Sequence, residues 1–178
     1  MKWLLVLLTV SACNPIPEAV RRNVVITTSE GRASGVIIQT NWILTNAHAV
    51  GEEMQVDNAM SKVVFRDENL DLALVVANTE DFVRLTFAQV KSSDYVFYVA
   101  NPRGHVNTIS QGNVLYTDFS HTVTNTMPMP GMSGGGLWNA RGELVGLNVG
   151  MEGSNYGLLM ADHIPGYLVK RFVEENLK

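Results

Sequence analysis

Short apolar runs separated by turn-forming residues recur along most of the chain, and this spacing limits the fold more than any other feature of the sequence. Glycine, proline, asparagine and serine cluster between the runs, where they favour turns. Evenly spaced short strands are typical of a β-sandwich or a β-barrel, not of alternating β-α units. The sequence therefore predicts an all-β protein whose strands include residues 24–28, 35–39, 42–45, 63–65, 72–76, 95–100, 108–110, 114–116, 135–138 and 144–149.

One segment at the end of the chain has the period of a helix instead. Pro165 suits a first helical turn, and the apolar residues that follow recur at helical spacing. They are Leu168, Val169, Phe172, Val173 and Leu177. We therefore predict a C-terminal α-helix over about residues 164–177.

The composition narrows the classes of function. The 178 residues are 46% hydrophobic and 17% charged, which is enough for one or two small domains with a real core. A net charge of −4 without a basic run argues against nucleic acid as a partner, because phosphate binding needs clustered lysine and arginine. The single cysteine, Cys13, excludes an internal disulfide and any multi-cysteine metal site.

The first residues have the pattern of an export signal. A lysine precedes eight apolar or small residues, 3–10, which are too few to cross a bilayer as a helix. Residues 10–13, VSAC, resemble a bacterial lipobox, in which cleavage before the cysteine follows its lipidation. We therefore predict a lipoprotein-like signal peptide over 1–12, an anchor at Cys13 and an extended tether over 13–22.

Two other interpretations of this start remain open. It could be an ordinary signal peptide with an incidental cysteine, or a first strand of the core. The favoured interpretation implies an exported protein held at a bacterial membrane by lipid, on its periplasmic or extracellular face. An ordinary signal peptide would instead imply a secreted protein.

A glycine-rich loop at residues 131–137, GMSGGGL, holds the first candidate for catalysis. A serine between glycines can expose its hydroxyl, and backbone N–H groups freed by tight turns can converge beside it. Ser133 would still need an adjacent base to act as a nucleophile. Taken alone, the loop could also be a glycine-rich hairpin with an idle serine.

The same loop fits the Gly-x-Ser-x-Gly elbow of α/β-hydrolases, but the rest of the chain does not. Those enzymes place the acid and then the histidine after the serine, with helices between parallel strands. Only 45 residues follow Ser133, and the nearest candidates among them, Asp162 and His163, are adjacent. This alternative is therefore rejected.

Two further polar residues lie next to predicted strands. His48 follows the run at 42–45, and histidine is the usual general base because its pKa lies near neutral pH. Asp71 directly precedes the run at 72–76, where a carboxylate needs a hydrogen-bonding partner such as an imidazole N–H. Asp67 is the rival acid, but it belongs to a polar turn and is expected to be solvated. The other histidines, predicted to be surface residues, are His105, His121 and His163.

The order of the three candidates is more specific than any one of them. His48, Asp71 and Ser133 are separated by 23 and 62 residues, and this is the order of the chymotrypsin-like triad. The surrounding segments resemble the HtrA/Deg group of trypsin-like serine proteases over about residues 24–178. The segments that carry the resemblance are residues 34–38, 43–50, 71–74, 99–104, 110–114, 131–137 and 142–148.

The resemblance implies a fold and a mechanism. The fold would be two antiparallel six-stranded β-barrels, the first over about 23–90 and the second over about 91–160, with the active site between them. Ser133 would be the nucleophile, His48 the general base and Asp71 the residue that orients it. The N–H groups of Gly131 and Ser133 would form the oxyanion hole. No metal or organic cofactor is implied, and the partners would be polypeptides, unfolded or extended.

The resemblance also indicates the pocket for the residue before the scissile bond. By family analogy, Met127 lies at its base, and the far wall comes from Leu147, Asn148 and Val149. None of these side chains is charged, so we expect cleavage after small or medium apolar residues. Pro128 and Pro130 depart from the usual loop.

Two other functions remain as alternatives. The chain could be a catalytically silent barrel module that binds unfolded or extended polypeptides, or a passive lipid-anchored surface protein. The presence of all three triad residue types argues against both. The sequence ends after the helix that follows the protease domain, so we do not expect regulation through a PDZ domain.

Overall fold

The computed structural model describes residues 14–153 and 159–177, and within them it is built almost wholly of antiparallel strands. The first half contains α1 (Ile16–Arg22), β1 (Asn23–Thr28), β2 (Gly31–Gln39), β3 (Trp42–Thr45), β4 (Met54–Val56), β5 (Ala59–Met60), β6 (Lys62–Asp67) and β7 (Leu72–Val76). The second half contains β8 (Tyr95–Ala100), β9 (Thr108–Thr117), β10 (Thr122–Thr124), β11 (Gly136–Asn139), β12 (Leu144–Gly153), β13 (Leu159–Pro165) and α2 (Gly166–Asn176). The predicted all-β, chymotrypsin-like class with a C-terminal helix is confirmed.

The second half is the closed six-stranded barrel that was expected. Its strands follow one another in the order β10-β13-β12-β11-β8-β9, and every pairing is antiparallel. The first half differs in detail, since its seven strands form a single curled sheet in the order β5-β4-β1-β2-β3-β7-β6. In this half, the strands β5 and β6 at the two ends of the order are not paired with each other.

Several strands were missed or divided by the sequence analysis. The strands β4, β5 and β10 have only two or three residues, and the apolar run of β13 is interrupted by Asp162 and His163. Two predicted runs, 108–110 and 114–116, are parts of the single strand β9. The polar residues between them look like a turn in the sequence, but all three pair with β8, and Gly112 leaves the room that the Asn125 side chain occupies.

Within the segment predicted as an extended tether, 13–22, residues 16–22 form the helix α1. A proline in the first turn and Glu18 near the N-terminus favour the helix. Ala19 and Arg22 are buried, and the Arg22 guanidinium donates to the carbonyls of Ile37 at 3.0 Å and Val83 at 3.2 Å. These contacts, absent from any local pattern, hold the segment against the first sheet.

The helix α2 begins slightly later than predicted. Pro165 ends β13 and is the N-cap of α2, with an extended ψ of 143°, so the first helical residue is Gly166. A side chain at Gly166 would press against the carbonyl oxygens of Ala88 and Val145, which shows how closely the helix start packs on the barrel.

One apolar core joins the two halves. It combines residues of the first sheet, the barrel and α2, and its largest members are fully or almost fully buried. Burial of each such side chain stabilises the fold by about 1.5–3 kcal/mol, so the two halves are held in a fixed relation. Representative members are Leu44, Leu72, Leu74, Phe97, Trp138, Leu144, Val169 and Phe172.

The predicted signal peptide and the proposed lipid site at Cys13 lie outside the described residues. Of the two helices that are described, neither has the length and apolar character needed to cross a bilayer.

Candidate active site

His48 lies in a short 3-10 turn that follows β3 and is exposed to solvent. Its backbone N–H donates to Asp71 Oδ1 at 2.9 Å, and its ring Nδ1 lies 2.7 Å from Asp71 Oδ2. An ionised carboxylate only accepts hydrogen bonds, so the proton of a neutral ring lies on Nδ1. The other ring nitrogen, Nε2, is then free to accept a proton.

Asp71 is the last residue of the turn between β6 and β7. Its φ of +52° places it in the left-handed region, which few residues other than glycine adopt. Asp67 lies at the start of the same turn, and its Oδ1 accepts the N–H groups of Asn69 and Leu70 at 2.9 and 3.0 Å. The rival acid therefore has a local role in the turn, and Asp71 is the carboxylate beside His48.

The environment makes His48 a stronger base than a free histidine. The hydrogen bond to Asp71 raises the pKa of His48, partial burial opposes this change, and the negative charge of Asp71 adds to the increase. The ring side chain is 51% exposed, so solvent still reaches it.

Ser133 lies in the loop between β10 and β11, and this loop is held on both sides by backbone hydrogen bonds. The Ser133 carbonyl accepts the N–H of Ser34 in β2 at 2.8 Å, and the Gly134 N–H donates to the carbonyl of Asn148 in β12 at 2.9 Å. Gly134 has a φ of +80°, and a methyl group there would collide with the Ser34 carbonyl and the Thr45 hydroxyl. This close approach is possible only for glycine.

The two expected oxyanion donors border the same cavity as His48. The Pro130 carbonyl accepts the N–H of Arg103 at 3.0 Å. Because the C=O and N–H of one trans peptide point in opposite directions, the Gly131 N–H faces away from Arg103. Gly131, Ser133 and His48 together line a cavity of about 210 Å³.

The Ser133 hydroxyl points toward β12 in this conformation. It donates to the Val149 carbonyl at 3.4 Å, which is a long hydrogen bond. Among the described residues, the structure gives no hydrogen bond between Ser133 and His48. The structure thus brings His48, Gly131 and Ser133 to one cavity, with Asp71 hydrogen-bonded to His48 and the Ser133 hydroxyl directed at Val149.

The expected pocket residues are placed less uniformly. The Met127 side chain is 64% exposed, while its backbone is fixed by the Tyr98 hydroxyl at 2.5 Å and the Ser110 hydroxyl at 3.0 Å. Leu147 and Asn148 are buried, and the C=O and N–H of Asn148 are hydrogen-bonded to Gly134 and Gly135 of the serine loop. Val149 is half-buried, and its carbonyl is directed at the Ser133 hydroxyl.

The prediction that His163 is a surface residue is wrong. His163 lies in β13, faces the barrel interior and is fully buried, with Nε2 at 3.1 Å from the Thr124 hydroxyl. Burial lowers the pKa of His163 to about 3. The sequence analysis placed it at the start of α2, but the strand extends to Pro165. His105 and His121 are exposed, as predicted.

Asn46 is a residue that the sequence analysis missed. It follows β3, is fully buried, and donates from Nδ2 to the Asp71 carbonyl at 3.0 Å. Its position two residues before His48 was the available signal, although an asparagine after a strand usually indicates only a turn.

Comparisons with known proteins agree with this geometry. A family model described as a trypsin-like peptidase domain matches residues 33–147. The periplasmic serine endoprotease DegP of Salmonella typhimurium is 29% identical over 172 residues, which cover 82% of this chain and 35% of that protein. The chain thus spans about a third of the length of this curated relative.

Solved structures are similar over most of the chain. The serine endoprotease from Yersinia pestis superposes with a TM-score of 0.77 at 26% identity, covering 90% of this chain and 65% of that one. The HtrA-type protease AlgW, solved with a decapeptide, gives a TM-score of 0.76 at 20% identity, covering 94% and 68% of the two chains. The second likeness concerns the fold alone.

Proposed function

The chain belongs to the trypsin-like peptidase family, and we propose that it is a working serine endopeptidase whose catalytic groups are His48, Asp71 and Ser133. Its homologues are HtrA/DegP serine proteases. The observation that carries the proposal is the 2.7 Å contact between His48 Nδ1 and Asp71 Oδ2 beside the cavity that Ser133 shares. A base oriented by a carboxylate and opening onto the same cavity as a glycine-flanked serine is the arrangement that acyl transfer requires.

In this mechanism the Ser133 hydroxyl attacks the carbonyl carbon of the scissile peptide bond. His48 Nε2 takes the hydroxyl proton and then gives it to the leaving amine as the acyl-enzyme forms. Water then attacks the acyl carbon as His48 takes its proton, the bond to the Ser133 oxygen breaks, and His48 returns the proton to that oxygen. Asp71 keeps the Nδ1–H tautomer of His48 and stabilises the imidazolium that forms in each half of the cycle.

Rotation of the Ser133 side chain precedes the attack. Its hydroxyl makes a long hydrogen bond to the Val149 carbonyl in the free protein, so rotation about χ1 toward His48 breaks only this weak interaction. Catalytic hydrogen bonds are often long or misaligned before substrate binds. The rotation is therefore compatible with the proposed role of the serine.

The tetrahedral intermediate would be stabilised by the N–H groups of Gly131 and Ser133. Each such donor typically contributes about 3–4 kcal/mol to the transition state. The hydrogen bond from Arg103 to the Pro130 carbonyl supports this role, because it holds the Gly131 N–H on the opposite side of the peptide plane.

The proposed base also predicts how activity depends on pH. A protonated His48 cannot accept the serine proton, and Asp71 raises the pKa of His48 above its ordinary value of 6.5. We therefore expect kcat/KM to fall as pH drops through a value above 6.5, measured with a peptide substrate. An acid limb with its midpoint below 6.5 would contradict the pairing.

We propose unfolded or extended polypeptides as the substrates. The solved complex of the HtrA-type protease AlgW with a decapeptide supports this class of ligand. The residue before the scissile bond would be small or medium and apolar, with Met127 at the base of its pocket and Leu147, Asn148 and Val149 as the wall. A lysine there would meet no carboxylate, and an unpaired buried ammonium costs several kcal/mol.

Labelling with a fluorophosphonate tests the proposal directly, because the reagent traps an activated serine. The wild-type protein should be labelled and Ser133→Ala should not. Ser120→Ala, at an exposed serine in the β9–β10 turn, is the matched control and should label like the wild type. Equal labelling of the wild type and Ser133→Ala would remove the protease assignment.

The alternative of a silent module makes a different prediction in the same experiment. A catalytically silent fold that binds unfolded polypeptides would bind a denatured protein without becoming labelled and without cutting it. Fragments and labelling that both disappear in Ser133→Ala would exclude that alternative.

Export and lipid anchoring complete the proposal. The relatives are periplasmic, which supports export, and the lipobox-like sequence favours an anchor at Cys13. We expect the wild type to incorporate a labelled fatty acid and to sediment with membranes, and Cys13→Ser to do neither. Mature wild-type protein that is cut at another site and carries no lipid would contradict the proposed anchor at Cys13.

A further inference from the structure

Asn46 connects the turn that carries His48 to the backbone of Asp71. Its side-chain Nδ2 donates to the Asp71 carbonyl at 3.0 Å, and the residue has no exposed surface. Two further hydrogen bonds run in parallel, from the His48 N–H and ring Nδ1 to the two carboxylate oxygens of Asp71. Three contacts thus join two residues of one turn to Asp71.

The contact from Asn46 bears on the left-handed conformation of Asp71. Asp71 has a φ of +52°, in a region that residues other than glycine seldom adopt, although aspartate and asparagine do so more often than the rest. A change of this φ toward negative values would turn the carboxylate away from the His48 N–H and Nδ1. The hydrogen bond to the Asp71 carbonyl holds the peptide group that would have to rotate.

The second oxygen of the same side chain is an independent observation. Asn46 Oδ1 is buried and, among the residues that the structure describes, has no hydrogen-bond partner. A buried polar atom without a partner destabilises the fold, so packing alone would favour an apolar residue of the same size at this position. The presence of an amide at this position therefore indicates that its Nδ2 group has a role, which is the hydrogen bond to the Asp71 carbonyl.

We propose that Asn46 is a positioning residue, which holds Asp71 in its left-handed conformation so that both carboxylate oxygens remain on His48. This inference rests on the proposed protease function, since it assigns a second support to the same acid–base pair. Asn46 touches neither the substrate nor the reacting atoms, and it acts through Asp71.

The test uses Asn46→Leu in the full chain, because leucine preserves the volume and removes both polar atoms. We expect kcat to fall by about tenfold to a hundredfold with KM within about twofold, since small misplacements of catalytic groups reduce turnover without affecting binding. The acid limb of kcat/KM should move to lower pH as the Asp71 contact weakens. Asn69→Ala, at an exposed asparagine in the same turn as Asp71, is the control and should retain both values.

A second measurement separates this proposal from the proposed function. The His48 ring can be titrated by NMR in the Ser133→Ala background, where no turnover is needed. With Asn46→Leu added, its pKa should fall toward 6.5, and this holds even if the protein proves to be inactive. If Asn46→Leu does not fold, Asn46→Ala is measured in the same way with the same expectation. An unchanged His48 pKa together with an unchanged kcat would overturn the proposal, as would a loss of activity that only follows the folded fraction.

Discussion

The turn that carries His48 and the strand that carries His163 shift the pKa of a histidine in opposite directions. His48 is half-exposed and hydrogen-bonded to a carboxylate, which raises its pKa. His163 is fully buried beside Thr124, and burial lowers its pKa to about 3. The comparison teaches that a histidine becomes a usable base where a carboxylate supports its charge and solvent still reaches it. Burial alone makes it a neutral part of the core.

The two halves of the candidate site also differ in the kind of hydrogen bond that holds their residues in place. The first sheet holds His48 and Asp71, the proposed acid–base pair, together through hydrogen bonds to the Asp71 carboxylate at the ends of strands. The barrel holds Ser133 through backbone hydrogen bonds and through a glycine with a positive φ, Gly134. Substitutions should therefore act on the first half through charge and tautomer, and on the second through backbone position.

The largest effect should come from Asp71→Asn, which removes the charge that orients His48. We expect kcat on a peptide substrate to fall by about 10³–10⁴-fold while the fold is retained, because the amide favours the wrong tautomer of the ring. Asp67→Asn is the matched control. Its amide oxygen can still accept the N–H groups of Asn69 and Leu70, so its activity should change less than about threefold. The reverse ranking would refute the assignment of Asp71 as the acid.

The barrel side is tested by Gly134→Ala. An alanine there would be strained at a φ of +80° and would collide with Ser34 and Thr45, so the loop must shift and displace the proposed oxyanion donors. We expect a loss of about 10²–10³-fold in kcat, similar to the removal of one donor. Gly51→Ala, where an added methyl would make only ordinary contact with the Thr28 side chain at 3.9 Å, should leave kcat nearly unchanged. Similar kcat values in the two variants would show that the loop tolerates displacement.

Burial of His163 should affect how the free energy of unfolding depends on pH, and it should not affect catalytic activity. The unfolded chain binds a proton at His163 below pH 6.5, whereas the folded state does not until about pH 3. Its contribution to stability is therefore present above pH 6.5 and declines as pH falls, by about 2 kcal/mol at pH 5. Urea unfolding at several pH values should show a flatter acid dependence for His163→Leu than for the wild type. His105→Ala, at an exposed histidine, should follow the wild type.

The smallest effect concerns the residue before the scissile bond. Digestion of an unfolded protein should produce cuts mainly after small or medium apolar residues, and discrimination among them should be modest, at about 10–200-fold, because one methylene in an apolar pocket contributes little. Met127→Asp should shift cleavage toward lysine and arginine if Met127 lies at the pocket base. A majority of wild-type cuts after basic residues would overturn the apolar pocket.

The strands that sequence reasoning located best are those with continuous apolar burial. The bounds of β3, β7 and β8 match the predicted runs because nearly every residue in them is buried. Strands such as β10 and β13 were missed because their polar residues are satisfied inside the barrel, as His163 is by Thr124. Local hydrophobicity cannot register a polar side chain whose partner lies 39 residues away.

The residues of the candidate site also differ in whether the sequence alone could identify them. His48, Asp71 and Ser133 were selected by residue type, order and the glycines around the serine, and their catalytic roles stay predictions. The supporting role proposed for Asn46 depends on the Asp71 carbonyl 25 residues later and on the sign of one φ angle. Neither the contact nor the φ angle can be predicted from the local sequence pattern.

The sequence by itself determined the strand-rich class, the glycine-rich loop around Ser133 and the chain order of the three candidate residues. Each of these follows from local chemistry: the period of apolar residues, the turn formers, and the freedom of glycine. Only the tertiary structure decided that the first sheet stays open, that residues 16–22 form a helix with Ala19 and Arg22 buried, that His163 is in the core, and that Asp71 meets His48. Those outcomes depend on which surfaces pack together across the chain, because burial and distance are properties of the assembled fold and not of any one segment.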